Sequence, residues 1–441
     1  MRKILIVILL FASACESQLD LRPKMQVSAE EAFSNKENVY AALVGCYDGL
    51  QLQHYYGRNL IIVGDLASDN SIASGTKVEY YDVDKNTLLA NNILVEGIWA
   101  DIYQSVNRVN YMLLQLESNI FLSSPEKKDF QGQLRFLRAL HYFNLVRLYG
   151  AVPLKLLPTR SDSPDNFLPR SPVNLVNDQI VADLEFARMN ILNKKPEKAT
   201  GLAATALLAS VELTRGNPKQ ATQNAGLVLQ EKPNLEASYK DLFQSASDPG
   251  NEILFYIPFS ASDKNRLAEY NYPNTLGGRY ENAPSADLIS MDDKDLRKPL
   301  IASFQAGKYF TTKYSDLITG KDRVIVLRTA EIYFIRAEAN YQLDSVVNRS
   351  SIIADINLIR KRAGLAPLAE SGVRSLQNLI EHEKQLEFAF EGKRWFDLIR
   401  TKRALKLIPT VMQEYQMLFP IPLSEILANP NMGIKNQNEG Y

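Results

Sequence analysis

Side chains with reactive potential are thinly spread along this chain of 441 residues. His54, His141 and His382 stand singly, without the two-ligand helical spacing or the cysteine partners that a transition-metal site requires. There is no glycine-rich phosphate loop and no nucleophile elbow. Met291-Asp-Asp-Lys-Asp295 is acidic but lacks the spacing and central glycine of a calcium loop. A pair of carboxylates across a cleft would suffice to hydrolyse a glycoside, yet nothing singles out two of the fifty Asp and Glu. The pattern points to a protein that binds without metal, cofactor or covalent chemistry. What recurs instead is tyrosine, and it recurs in two irregular stretches. Tyr270, Tyr272, Tyr280, Tyr309 and Tyr314 lie in one; Tyr55, Tyr56, Tyr80 and Tyr81 lie in the other, beside Asp65, Asp69 and Asn70. Flat aromatic faces cover the apolar faces of sugar rings while amides and carboxylates take the hydroxyls, and an extended peptide can use the same groups.

One further side chain is placed for chemistry. Met1-Arg2-Lys3 precedes an apolar run from Ile4 to Phe11, small residues Ala12 to Ala14, and then Cys15. Positive, apolar and small in that order make residues 1–14 a secretion signal, and Cys15 becomes a new N-terminus whose thiol accepts a lipid. The apolar run is far shorter than the roughly 20 residues needed to span a bilayer, and no later segment is long and charge-free enough either. Several acyl chains, at about 0.8 kcal/mol per buried methylene, would hold such a protein to a membrane it does not cross. Once Cys15 is acylated only Cys46 remains, so the fold depends on its core and not on an internal disulfide. Fifty basic residues balance fifty acidic ones with no basic cluster, which argues against nucleic acid as a partner.

The elements that position these residues are mainly helical. Trp99, Ile102, Tyr103, Val106, Val109 and Leu113 form an apolar stripe within Ile93 to Leu116. A partner helix from about Lys128 to Tyr149 ends in Arg147, Gly150 and Pro153, a strong stop. Asn174 to Leu192 pairs with Thr200 to Arg215, and Gly216-Asn217-Pro218 opens a helix through Leu229. Leu327 to Leu343 pairs with Ser351 to Arg362; Ser375 to Glu391 is followed by Arg394 to Leu407. Helix pairs that cannot bury their faces alone suggest tetratricopeptide-like units. Asn251 to Phe259 reads as a strand. Glu391 with Arg394, and Asp397 with Arg400, are spaced to pair on a helix, and Trp395 beside them reads as structural.

Several segments resemble the SusD/RagB family of nutrient-uptake outer-membrane lipoproteins. They are Cys15 to Lys24, Ala41 to Gly49, Arg135 to Pro153, Arg328 to Ala339, Ile356 to Gly364, Glu391 to Arg400, and Leu418 to Pro422 with Gln437 to Tyr441. Their order runs from the acylated cysteine to the last residue. Glu439 stands where the family usually has proline, and the chain is short for the family. Glu16 and Asp20 partly fit the acidic stretch that accompanies export to the outer face.

The resemblance implies a mainly α fold, an α/α superhelix with tetratricopeptide-like helix pairs plus a loop-rich ligand-binding part with a few short strands. It implies one domain over residues 15–441. The scaffold would occupy roughly 28–50, 93–231 and 324–407, the ligand face roughly 51–92 and 244–323, and an extended tail 408–441. It also implies an outer-membrane protein, lipid-anchored and facing the cell exterior. There it would capture oligosaccharides, or in some relatives peptides, and pass them to a SusC-like TonB-dependent transporter. The candidate ligand-binding residues are then Tyr80, Tyr81, Trp99, Tyr270, Tyr272, Tyr280, Tyr309, Asp65, Asp69 and Asn70. Trp99 carries two readings, since relatives use tryptophan for glycans but its place on the apolar stripe suits a core. A helical-repeat scaffold and an α/α glycoside hydrolase are the rival classes.

Overall fold

The computed structural model describes residues 33–159, 166–244 and 250–441. The signal segment and Cys15 lie outside the described residues. Labelling helices of seven residues or more, the order is α1 (Lys36–Asp48), α2 (Asn59–Leu66), β1 (Ser71–Ala73), α3 (Val78–Asp84), α4 (Ile93–Glu117), α5 (Ser124–Tyr149), α6 (Val173–Asn190), α7 (Gly201–Thr214) and α8 (Pro218–Glu231). There follow β2 (Ile253–Ile257), β3 (Asn282–Pro284), β4 (Ser303–Gln305), β5 (Lys308–Phe310), β6 (Val324–Arg328), α9 (Thr329–Asp344), α10 (Arg349–Arg362), α11 (Leu376–Phe388) and α12 (Arg394–Arg400).

Caps written in the sequence set the long helices. The Asn92 side chain accepts the Leu94 N–H to open α4, and Ser123 with Glu126 forms a capping box at α5. Gly150, at φ 73°, ends α5 in a left-handed turn that a Cβ would strain. The Thr200 and Ser375 hydroxyls accept the Ala203 and Asn378 N–H groups to open α7 and α11. From α4 to α10 successive helices pack on one another as a superhelix. Buried Ala203, Ala204, Ala206 and Ala209 allow the close approach of α7 to its neighbours. Among the described residues no helix is long and apolar enough to cross a membrane.

The superhelix continues directly from α8 to α9, which pack together although residues 232–328 lie between them in the chain. The base of this insertion is closed by β2 and β6, paired antiparallel from Ile253 opposite Arg328 to Ile257 opposite Val324. Tyr333 Oη donates to the Pro233 carbonyl at 2.8 Å across the same junction. The helix expected to begin at Leu327 therefore begins at Thr329. Val324 to Arg328 is a fully buried strand, and such a strand lacks the period-2 alternation that would mark it.

A buried charge cluster ties the insertion to α10 and α11. Arg328, fully buried, reaches Glu391 at 2.9 Å and Glu252 at 2.9 Å, and also pairs with Glu387. Arg362 pairs with Glu252 at 2.8 Å, Lys313 with Glu391 at 2.8 Å, and Arg297 with Asp295 at 2.7 Å. Burial pushes the Glu391 carboxyl up, but Arg328 and Lys313 outweigh it and hold the group below the usual carboxylate range. Burial pulls the Lys313 ammonium down to about 8 against the opposing pull of Glu391. The pairing expected between Glu391 and Arg394 is thus replaced: Glu391 turns inward, while Arg394 meets Asp69 at 2.7 Å. Asp397 and Arg400 do pair, at 2.8 Å. Trp395 is fully buried.

Candidate functional site

The stretch 51–92, expected to be irregular, carries α2 and α3, and every residue of α2 is buried. It meets the insertion through β1 and β3, which pair with Ser71 opposite Pro284 and Ala73 opposite Asn282. Just beyond β1, Ser74 donates its N–H to the Glu281 carbonyl and its hydroxyl to the Tyr280 carbonyl, at 3.2 and 2.7 Å. The Glu281 carboxylate, almost fully buried, accepts the N–H groups of Thr76 and Lys77 at 3.1 and 3.3 Å. A Cβ on Gly75 would lie 2.1 Å from Glu281 Oε2, so a larger residue there would push this carboxylate off the Thr76 and Lys77 N–H groups. Tyr81 Oη donates to the Gly75 carbonyl at 3.0 Å.

Opposite lies Tyr280, held at φ 54°. Its N–H donates to the Tyr272 carbonyl at 2.9 Å, and the next N–H, of Glu281, donates to the Tyr270 carbonyl at 2.8 Å. A left-handed conformation at tyrosine costs of order 1–3 kcal/mol, and such strain gathers at ligand clamps. The ring is half-buried, and its hydroxyl donates to the Tyr309 carbonyl at 3.0 Å. Tyr309 sits on the β4–β5 hairpin directly opposite Phe304, with ring centroids 4.7 Å apart. Phe304 is 61% exposed. Lys308 places its ammonium 4.1 Å from the Tyr280 centroid. Tyr280, Glu281 and Lys308 line an open groove of about 640 Å³ together with Ser74 to Lys77 and with Asn274, Thr275 and Arg279, and Tyr81, Tyr309 and Phe304 stand behind or beside its lining.

Of the residues singled out from sequence, Tyr81, Tyr280 and Tyr309 are brought together around this groove, with Tyr272 half-buried behind it against Phe310, 4.7 Å between centroids. Five others belong to the interior and present no face to a ligand, which corrects the sequence reading. Trp99 is 5% exposed, edge-on to Tyr149 at 5.0 Å. Tyr80 donates to Asn59 Oδ1 at 2.9 Å, and Tyr270 lies under the Arg58 guanidinium at 4.0 Å. Asn70 donates to Asp65 Oδ1 at 2.8 Å. Asp65 also accepts the Phe390 and Gly392 N–H groups at 3.1 and 3.0 Å. Burial pushes the Asp65 carboxyl up to about 7 despite these donors. Asp69 is only partly exposed and is engaged by Arg394. Tyr55, Tyr56 and Tyr314 are buried as well. For Asp65 and Tyr80 the cause is that α2 and α3 are packed helices, so residues read as loop-borne face inward.

Sequence reasoning missed Ser74, Thr76, Lys77, Arg279, Phe304 and Lys308. A signal for the hairpin was present: Phe304 and Tyr309 flank Ala306-Gly307, both at positive φ, as a tight two-residue turn requires.

Two family descriptions match the chain: "SusD family" over residues 301–441 and "Starch-binding associating with outer membrane" over residues 18–213. The starch-binding protein SusD of Bacteroides thetaiotaomicron is 35% identical, with 78% of each chain covered. The chain belongs to the SusD family. Another SusD-family relative, SusD-like protein P2 of Formosa agariphila, is 26% identical over 100% of this chain and 99% of its own. Among solved structures, a laminarin binding SusD-like protein superposes with a TM-score of 0.78 at 22% identity, covering 92% of this chain and 100% of that one. A SusD superfamily protein from Bacteroides vulgatus gives 0.80 at 21% identity, covering 93% and 100%. The SusD fold is thus common to all of them, and the superhelix with its loop-rich insertion is this chain's version of it.

Proposed function

We propose that the protein is a cell-surface nutrient-binding lipoprotein that captures oligosaccharides in the groove between residues 74–81 and 274–309 and performs no chemistry on them. The observation that carries this reading is the β1–β3 pairing, which sets two separate tyrosine-bearing segments face to face around Tyr280. Starch and laminarin are the ligands named for two of its relatives, and the family description places starch binding at the outer membrane. Tyr280 would lie against the apolar face of a sugar ring, while Ser74, Thr76, Asn274 and Thr275 sit where hydroxyls would fall. Cys15 would carry the lipid anchor, and a TonB-dependent transporter beneath the protein would receive the ligand.

Soluble protein beginning after Cys15 tests this with panels of oligosaccharides and peptides. Calorimetry records binding, and mass spectrometry records cleavage. Saccharide binding without cleavage is the expected result. Cleavage would replace the reading with a hydrolase, and peptide binding alone would move the ligand class.

A further inference from the structure

Charge around the groove narrows the ligand further, if the groove is the oligosaccharide site proposed above. Three cations line it, Lys77, Arg279 and Lys308, against one carboxylate, Glu281. That carboxylate is 4% exposed and is taken up by the Thr76 and Lys77 N–H groups, so it forms no ion pair with the three cations and the lining keeps an excess of positive charge. Arg279 shares its partner: Glu269 accepts from Nε and Nη2 of Arg266, each at 2.7 Å, as well as from Arg279 Nε. One negative charge is divided between two guanidiniums, and Arg279 remains 48% exposed in its side chain. Lys77 meets Glu79 only at 3.5 Å. Lys308 stands on the hairpin tip over the Tyr280 ring and pairs with no carboxylate among the described residues. Arg279 and Lys308 thus both line the groove that holds Tyr280, the Lys308 ammonium 4.1 Å from its ring centroid and the Arg279 guanidinium 5.6 Å from that of Tyr270.

We infer that the groove takes an acidic oligosaccharide, one whose sugar rings carry uronate carboxylates or sulfate esters, with the ring on Tyr280 and the anionic groups received by Arg279 and Lys308. A neutral glycan would leave Lys308 without a counter-charge and Arg279 with only a shared one. An acidic one gains a charge-assisted hydrogen bond at each, commonly about tenfold to hundredfold in affinity.

Calorimetry on the soluble chain beginning after Cys15 decides the matter with three hexasaccharides: oligogalacturonate, κ-carrageenan hexaose and neutral laminarihexaose. The expected result is that one acidic ligand binds at least about tenfold more tightly than laminarihexaose. That binding should weaken at about 1 M salt, where the screening length falls to about 3 Å. Lys308→Gln and Arg279→Gln should each remove about tenfold of the acidic affinity, with unchanged thermal unfolding showing that the variants are folded. The carboxylated and sulfated arms identify which anion is preferred. Tighter, salt-insensitive binding of laminarihexaose would overturn the acidic assignment and leave the oligosaccharide reading standing. Binding of none of the three would overturn both.

Discussion

Asp65→Asn separates a structural role from a ligand role at one residue. Asp65 is fully buried and joins α2 to the turn after α11 through the Phe390 and Gly392 N–H groups, with Asn70 as third donor. Its folded pKa of about 7 stands above the ordinary 3.8, with burial as the main cause. The folded state therefore holds the proton more tightly than the unfolded one. The stabilisation is complete below about pH 4 and is lost as pH rises through about 7. At about 1.4 kcal/mol per pH unit over the window between the two values, the loss from about pH 5 to about pH 8 is roughly 2–3 kcal/mol. Asparagine can keep Oδ1 for Phe390 and Asn70, but its NH2 then faces the Gly392 N–H, an unmet donor costing about 1–3 kcal/mol. The variant should be the less stable protein at about pH 5, and the gap should close or reverse by about pH 8. Urea unfolding of both proteins across that range measures it, and taking their difference cancels the other titrating groups, His54 and Lys313 among them. Parallel stability curves would refute the reasoning. Unchanged stability with lost saccharide affinity would return Asp65 to the ligand site.

Arg328→Met leaves Glu252, Glu387 and Glu391 short of a buried cation, and should cost about 3–5 kcal/mol in denaturant unfolding; a loss under about 1 kcal/mol would show the cluster does not need it. Trp99→Ala should destabilise by about 3–5 kcal/mol through the cavity it leaves, with saccharide affinity retained in the folded fraction. Tyr280→Ala should do the reverse, losing about tenfold in affinity, equivalent to about 1.4 kcal/mol, while the unfolding midpoint barely moves. Cys15→Ser should shift the protein from the membrane fraction to the soluble one, and retention at high salt would dispose of the lipid anchor.

The superhelix was legible because caps and apolar stripes are local. Gly150, Thr200 and Ser375 mark helix ends within a turn of where they fall, whereas the Ser123–Glu126 box opens α5 at Ser124, ahead of the expected start near Lys128. What stayed hidden is non-local. Asn59–Leu66 is buried all round, so it has no apolar face to show a period and reads as loop. Asp65 and Glu391 looked like surface groups because acidic residues usually are, yet each is matched by donors more than 60 residues away, Gly392 for one and Arg328 for the other. The groove proposed as the site draws on both tyrosine-rich stretches. Which tyrosines face outward depended on contacts distant in the chain: Tyr80 turns inward to Asn59, while the Tyr280 hydroxyl is held by the Tyr309 carbonyl.

The junction of α8 with α9 bears on how such a chain can diversify. Because both ends of residues 232–328 are clamped by helix packing and by β2 with β6, lengthening the chain between them adds little closure entropy, about 0.6 kcal/mol per doubling. The clamp isolates the supporting superhelix from changes in the excursion it carries. Descendants of one scaffold can then trade hairpins such as β4–β5, and with them ligand preference, without renegotiating their stability.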